Sequence, residues 1–188
     1  MLEIALEAAR TGANLLRQVQ LYKQTAQTKQ PADYVTEFDY RSEAAIIDVL
    51  ERRSPGIPIL GEERGGKLSQ TMWTVDPLDG TTNFIHGLPL VAVSVALIND
   101  GYPELGVVIA PWLNLEFTAQ HGKGVSRNGE LLPSLSKVDP QKALIATGFP
   151  MGNKKRRLPQ YEEVLNGALR RFEDLRRGGS SALDLCWT

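Results

Sequence analysis

The stretch WTVDPLDGTTNF, residues 73–84, begins as a buried strand and ends as a turn that is rich in hydrogen-bond donors. Two aspartates, Asp76 and Asp79, stand three residues apart within it. Strand ends in layered folds are where functional sites are commonly built. The pattern therefore predicts a strand over residues 72–75 that delivers two carboxylates to a site at its end.

The residues that follow favour the close approach of an anion. Gly80 has no side chain to obstruct the backbone, and we expect Thr81 to begin a short helix whose free N–H groups form an anion site. Pro77 restrains the chain and has no N–H to donate, so we expect the carbonyl of Leu78 to face the same site. Carboxylates beside an anion site indicate the cleavage of a phosphate monoester.

A second group of acids, Glu62 and Glu63, follows the short apolar run IPIL. Any one of these acids alone has the features of an ordinary solvated loop residue. Burying several carboxylates together is costly, however, unless a cation compensates their charge. Carboxylates without soft ligands suit a hard divalent ion, and the chain has no calcium loop of the D-x-D-x-D-G type. The group therefore favours Mg²⁺, shared between carboxylates and a substrate phosphate.

The remaining pattern predicts helices followed by a sheet that looks antiparallel, which is the order of an α+β layered domain. We expect Thr36 or Asp39 to cap the second helix, and turns at Asn99-Asp100-Gly101 and Asn128-Gly129. We place the domain boundary at Pro140, so that residues 1–139 carry the motifs and residues 140–188 begin a second domain. Helices are predicted over 2–24, 40–53 and 158–175, and strands at 57–60, 72–75, 91–98, 104–110, 114–119, 124–132 and 142–149.

Composition limits the classes of function. Apolar residues make up 42% and charged residues 23% of the 188 residues, as in a soluble globular protein. The net charge of −1 argues against a dedicated nucleic-acid binder, and no apolar run is long enough to span a membrane. A single cysteine, Cys186, fits a reducing compartment, so we expect a cytoplasmic protein. Neither a G-x-x-x-x-G-K-[ST] loop nor a G-x-S-x-G elbow is present.

Several segments together resemble the inositol monophosphatase family of metal-dependent, lithium-sensitive phosphatases. The resemblance spans essentially the whole chain, and its most specific part is D-P-x-D-G-T-T-N-F. It implies a layered α-β-α-β-α sandwich, a homodimer, and hydrolysis of small phosphate monoesters with Mg²⁺. The matching segments are DYVTEFDYRSE (33–43), GEE (61–63), WTVDPLDGTTNF (73–84), GLP (87–89), GKGVSRNGELL (122–132) and GGSSALDLC (178–186).

The resemblance also implies a role for each matching residue. Asp39 and Thr81 resemble the pair that orients the attacking water, and Glu62 would assist through the metal. The implied metal ligands are Glu62, Asp76, Asp79 and the carbonyl of Leu78. The implied substrate contacts are Asp79, Gly80, Thr81, Gly179, Ser180 and Ser181, the last three forming the far wall of the substrate pocket.

The sequence leaves the substrate and the completeness of the site open. TTNF after DG is similar to inositol phosphatases, so inositol monophosphate is the expected substrate. The alternatives are a fructose-bisphosphatase-like or broad sugar phosphatase, and a non-catalytic, protein-binding relative. The family carries a further W-D-x-A-A-G segment with another metal-ligating aspartate, which this sequence lacks. We therefore expect an incomplete second domain and little or no activity from these 188 residues alone.

Overall fold

The computed structural model describes residues 1–21, 25–30, 33–134, 136–149 and 154–188. The first part contains α1 (Leu2–Arg17), β1 (Gln27–Gln30), β2 (Asp33–Val35), α2 (Glu37–Arg53), β3 (Ile59–Gly61), β4 (Met72–Asp79) and α3 (Thr81–Ile85). The middle part contains β5 (Ala92–Asn99), β6 (Tyr102–Ala110), β7 (Leu115–Gln120), β8 (Gly124–Arg127) and β9 (Glu130–Leu131). The last part contains a 3₁₀ turn (Pro140–Lys142), β10 (Leu144–Ala146), α4 (Lys154–Arg171), β11 (Asp174–Arg176) and α5 (Ser181–Trp187).

The main sheet has seven strands in the order β3-β4-β5-β6-β7-β8-β9. β3 pairs with β4 in parallel, whereas each following pair is antiparallel, so the sheet is mixed rather than antiparallel as expected. The two predicted turns are confirmed. Asp100-Gly101 and Asn128-Gly129 both have positive φ at each residue, the conformation that closes tight hairpins.

The two faces of this sheet bury different residues, because side chains alternate along a strand. Val93, Val95 and Leu97 of β5 lie in the core shared with α1 and α2. Ala92 and Ala110 point the opposite way and pack with Leu183 of α5. The sheet therefore lies between two helical layers. β10 and β11 form a separate parallel sheet, with α4 against β11, and the predicted α+β class is confirmed.

Several boundaries differ from those predicted, for local reasons. α1 ends at Arg17 because the amides of Gln18 and Val19 bond to carbonyls three residues back, which tightens the last turn; residues 22–24 of the predicted helix lie outside the described residues. α2 begins three residues early, since Thr36 is its N-cap and Asp39 completes a capping box. The predicted helix 158–175 is α4 followed by β11, a strand that the pattern did not indicate.

The strands predicted at 57–60 and 142–149 are shorter in the structure. β3 begins only after Pro58, which has no N–H for the ladder. β10 starts after the 3₁₀ turn that Asp139 caps through the amide of Gln141. None of the helices in the described ranges is both long and apolar enough to cross a membrane. The division of the chain at residues 139 and 140 stays a prediction.

Candidate active site

β4 carries both aspartates inside the strand rather than after it, which corrects the predicted strand at 72–75. Asp76 is opposite Ser94 and Asp79 is opposite Ala92, so three steps along β4 match two steps along β5. The extra residue forms a bulge at the point where Pro77 has no N–H to complete the ladder. A bulge interrupts the regular alternation of side chains along a strand. The Asp76 and Asp79 carboxylates therefore do not point in the directions that a regular strand would give them.

Glu62 stands next to Asp76, which lies within β4, the parallel neighbour of β3. Glu62 directly follows β3, and its amide donates to the carbonyl of Val75 in β4 (3.1 Å). The pKa of Asp76 is raised to about 9, mainly by burial. The charge of Glu62, a hydrogen bond to Glu62 and the charge of Asp79 raise it further. The amide of Leu78, which donates to Asp76 at 3.1 Å, lowers that pKa. Without a cation, Asp76 therefore retains its proton at neutral pH.

Asp39 and Thr81 are joined by a hydrogen bond between α2 and α3. The Thr81 hydroxyl lies 3.2 Å from Oδ1 of Asp39 and 3.2 Å from the carbonyl oxygen of Leu78. Oδ2 of Asp39 accepts from the amide (2.8 Å) and the hydroxyl (2.6 Å) of Thr36. Burial raises the pKa of Asp39, while the hydrogen bonds from Thr36 lower it. The structure thus brings together the two residues and the carbonyl that the sequence singled out.

Gly80 occupies a position that excludes a side chain. Its φ is +97°, a left-handed value that glycine adopts readily. A Cβ at this position would lie 2.9 Å from the carbonyl oxygen of Leu90 and 3.3 Å from that of Gly179. The short helix expected at Thr81 is present as α3, whose N-cap is Gly80. Gly80 therefore allows the end of β4 to pack against the loop that precedes α5.

Asp79 faces α5. Its carboxylate accepts hydrogen bonds from the hydroxyl of Ser180, the hydroxyl of Ser181 (3.2 Å) and the amide of Ala182 (2.7 Å). The structure thus places the Ser180 and Ser181 hydroxyls on Asp79, and their contact with substrate stays a prediction. Within the described ranges, no three His, Cys, Asp or Glu side chains converge into a ready-made metal-binding group. The charge of Asp79 nevertheless contributes to the raised pKa of Asp76, and the binding of one cation by both aspartates stays a prediction.

The donor set nevertheless fits a hard cation. Glu62, Asp76, Asp79 and the carbonyl of Leu78 offer only oxygen atoms, which Mg²⁺ prefers. Burial, followed by the charges of Glu62 and Asp79, raises the pKa of Asp76, and a bound cation would reverse that effect. A carboxylate has about four lone-pair sites. Asp79 uses two on Oδ2 and one on Oδ1 for α5, so Oδ1 retains acceptor capacity.

A cavity of about 490 Å³ is lined by residues from the C-terminal part of the chain. Gly179 and Ser181, two predicted substrate contacts, line it together with Arg177 and Asp184. Ser180 is buried beneath them, with 1% of its surface exposed. Because Ser181 also contacts Asp79, the cavity adjoins the carboxylate of Asp79. It has room for a small molecule.

Three buried polar residues near the site had no role in the sequence prediction. Ser42 donates to the carbonyl of Pro77 (3.0 Å), and Glu43 accepts from the amides of residues 63 and 64. The side-chain amide of Asn83 donates to the carbonyls of Leu90 (2.6 Å) and Gly178 (2.9 Å). Glu43 and Asn83 both lie within the segments that carry the resemblance, so the motifs contained the signal but not the contacts.

Comparisons with known proteins bear on the family and the fold of this chain. The model of the Inositol monophosphatase family matches residues 1–188. The chain is 41% identical over 192 residues to Nus factor SuhB of Pasteurella multocida, covering all of this chain and 72% of that protein. The crystal structure of extragenic suppressor protein SuhB from Bartonella henselae superposes with a TM-score of 0.89 at 32% identity, over 98% of this chain and 72% of that one. An IMPase from Thermotoga maritima gives 0.83 at 29% identity, over 99% and 71%.

Proposed function

Because the chain belongs to the inositol monophosphatase family, we propose that it is a phosphatase for small phosphate monoesters, with inositol monophosphate as the preferred substrate. The observation that carries this proposal is the hydrogen bond between Asp39 and Thr81 at 3.2 Å, close to the carboxyl groups that follow β3 and lie in β4. A buried carboxylate that holds a hydroxyl is a means of orienting a water molecule and receiving its proton.

We assign Mg²⁺ to the oxygen atoms of Glu62, Asp76, Asp79 and the Leu78 carbonyl. When bound there, the ion would activate a water molecule and neutralise the charge of the leaving oxygen. Burial and the charge of Glu62 raise the pKa of Asp76 to about 9, so Asp76 would have to release a proton to bind the ion. Metal binding and proton release are therefore linked, as is general for carboxylate ligands.

The proton path in this proposal uses Thr81 and Asp39. The attacking water gives a proton to Oγ of Thr81 while the hydroxyl proton of Thr81 moves to Oδ1 of Asp39. Burial raises the pKa of Asp39, which makes it a better proton acceptor than an exposed aspartate. Oδ2 of Asp39 stays bonded to Thr36 throughout, so the carboxylate keeps its orientation.

The remaining residues would bind and orient the ester. The backbone N–H groups of Gly80 and Thr81, at the start of α3, are assigned to phosphate oxygens. The backbone around Gly179, Ser180 and Ser181 is assigned to the alcohol part of the substrate, because Gly179 and Ser181 line the adjoining cavity. A homodimer in the cytoplasm, with neither membrane nor nucleic acid as partner, completes the proposal.

Turnover is measured on this chain extended by the W-D-x-A-A-G segment of the family, because the 188 residues alone are expected to have little or no activity. The test is phosphate release from inositol monophosphate, fructose bisphosphate and an unspecific aryl phosphate. EDTA should stop release, Mg²⁺ should restore it, and Li⁺ should inhibit it. Inositol monophosphate should give the highest kcat/KM, whereas a flat profile across the esters would favour the broad sugar phosphatase. Undiminished activity in EDTA, or no release from any ester with Mg²⁺, would overturn the proposal.

A second candidate function is a non-catalytic one, favoured by the name Nus factor of the Pasteurella multocida relative. In that case the fold would serve protein binding and the carboxylates would have no turnover to support. The absence of phosphate release, together with a complex between this protein and a protein partner that stays intact in gel filtration, would support this candidate.

A further inference from the structure

Glu43 is a buried acid that the proposed mechanism does not use. None of its surface is exposed. Its Oε1 accepts from the amide of Glu63 (2.9 Å) and its Oε2 from the amide of Arg64 (3.0 Å). The guanidinium of Arg64 is 3.7 Å from Oε2, a longer and half-exposed contact. The carboxylate therefore bonds mainly to backbone, and a buried charge used in this way fixes a loop.

The two amides directly follow Glu62. On its other side, the amide of Glu62 donates to Val75 of β4, and the amide of Gly61 donates to the carbonyl of Gly65 (3.0 Å). The backbone is thus held before, at and after Glu62. The orientation of the Glu62 side chain, which stands beside Asp76, depends on this set of bonds.

Gly61 makes room for the carboxylate of Glu43, because it has no side chain. A Cβ at residue 61 would lie 2.3 Å from Oε1 of Glu43 and 2.8 Å from its Cδ. Real Cβ atoms do not approach other atoms so closely, so the carboxylate is packed directly against the backbone of the loop. The absence of a side chain at Gly61 is what permits the contact.

The same face of α2 holds the other parts of the site. Residues 42 and 43 lie three and four positions after Asp39, so both share one side of the helix with it. Asp39 bonds to Thr81, and Ser42 donates to the carbonyl of Pro77, between Asp76 and Leu78. α2 therefore contacts α3, β4 and the loop after β3, and Glu43 is its contact with the segment that carries Glu62.

We propose that Glu43 is a positioning residue that sets the carboxylate of Glu62 beside Asp76 by holding the next two amides. The inference rests on the proposed function, in which Glu62 and Asp76 bind a divalent cation. Glu43 itself contacts neither the cation nor the substrate. Loss of such an outer partner typically weakens metal binding or activity by about 10–100-fold.

Glu43→Gln is the most specific test, because glutamine keeps the size of the side chain but only one of its two acceptor oxygens. Its NH₂ group would face a backbone N–H, so one of the two bonds is lost. Mn²⁺ binding to the 188-residue chain, measured by electron paramagnetic resonance, should weaken about tenfold or more. Hydrogen exchange at the amides of Glu63 and Arg64 should accelerate. Glu51→Gln, an exposed position on the same helix, is the matched control and should bind Mn²⁺ like the wild type.

Gly61→Ala disturbs the same contact from the other side and should weaken Mn²⁺ binding in the same direction. It decides the matter if Glu43→Gln does not fold. Wild-type Mn²⁺ affinity in a folded Glu43 or Gly61 variant, even with a lower Tm, would show a structural role only and overturn the positioning inference. If the wild type does not bind Mn²⁺, the proposed metal site itself fails, and the role given to Glu43 fails with it.

Discussion

The carboxylate of Asp79 accepts a hydrogen bond from the hydroxyl of Ser180, which lies 101 positions further along the chain. Ser180 is the N-cap of α5, and the amide of Ala182 in the first turn donates to the same oxygen of Asp79. Asp79 therefore ties the end of β4 to the last helix. In the proposed function it also binds Mg²⁺, and these two roles are separable by mutation.

Asp79→Asn should remove the charge that binds Mg²⁺ and weaken the link to α5, whereas Ser180→Ala should only weaken that link, because Ser181 and the amide of Ala182 also donate to Asp79. We expect Asp79→Asn to reduce Mg²⁺-dependent phosphate release by at least about 100-fold, since a direct ligand matters no less than an outer partner. Ser180→Ala should lower stability by about 0.5–2 kcal/mol, the usual effect of losing an N-cap. Thermal melts in EDTA and turnover with Mg²⁺ measure the two effects. Near-normal turnover in a destabilised Asp79→Asn protein would make Asp79 a structural cap alone.

Thr81→Val should impair turnover far more than folding. Valine is nearly the same size but has no hydroxyl to bond to Asp39. Since Gly80 is the N-cap of α3 and α3 has no side-chain cap, the Thr81 hydroxyl does not stabilise the helix by capping. We expect kcat to fall about 10²–10⁴-fold, the contribution of general base catalysis. Thr82→Val makes the same change one position along and should keep kcat; a wild-type kcat in Thr81→Val would exclude Thr81 from the proton path.

The raised pKa of Asp76 predicts how stability depends on pH in the absence of metal. An unfolded aspartate titrates near 3.8, whereas Asp76 in the folded chain titrates at about 9. Between these values the folded state binds more protons than the unfolded state, so stability falls as pH rises. The loss from one such group is at most about 1.4 kcal/mol per pH unit.

Asp76→Asn removes this titration and should flatten the decline. The measurement is the free energy of unfolding in EDTA at pH 5, 6, 7 and 8. Asp39 and Glu43 also have raised pKa values, because both are buried, and they contribute to the slope in both proteins. The difference between wild type and variant isolates Asp76. Asp48→Asn, an exposed change on α2, should leave the slope unchanged, and equal slopes in wild type and Asp76→Asn would refute the prediction.

Local patterns predicted the turns and the helix at Thr81, because glycine and short polar residues determine those conformations over a few positions. The resemblance to the family identified Asp39 and Thr81 as a pair, and the structure joins them by a hydrogen bond. The bulge in β4 was not predicted, since it depends on the register with β5. The contact of Asp79 with α5 spans about half the chain, and sequence spacing carries no information on such a distant pairing.

Asn83 joins the turn after β4 to the loop before α5, and its replacement should loosen that loop. Its side-chain NH₂ group donates to Leu90 and to Gly178, and only 5% of its surface is exposed. Asn83→Ala leaves two carbonyls without this partner, and a buried group left unsatisfied costs about 1–3 kcal/mol. We expect a lower Tm and faster hydrogen exchange at residues 179–182. Asn166→Ala, at an exposed position in α4, is the control and should change neither. If exchange at residues 179–182 stayed at the wild-type rate in Asn83→Ala, the bond to Gly178 would not be what holds this loop, and the tie between Asp79 and Ser180 would be sufficient by itself.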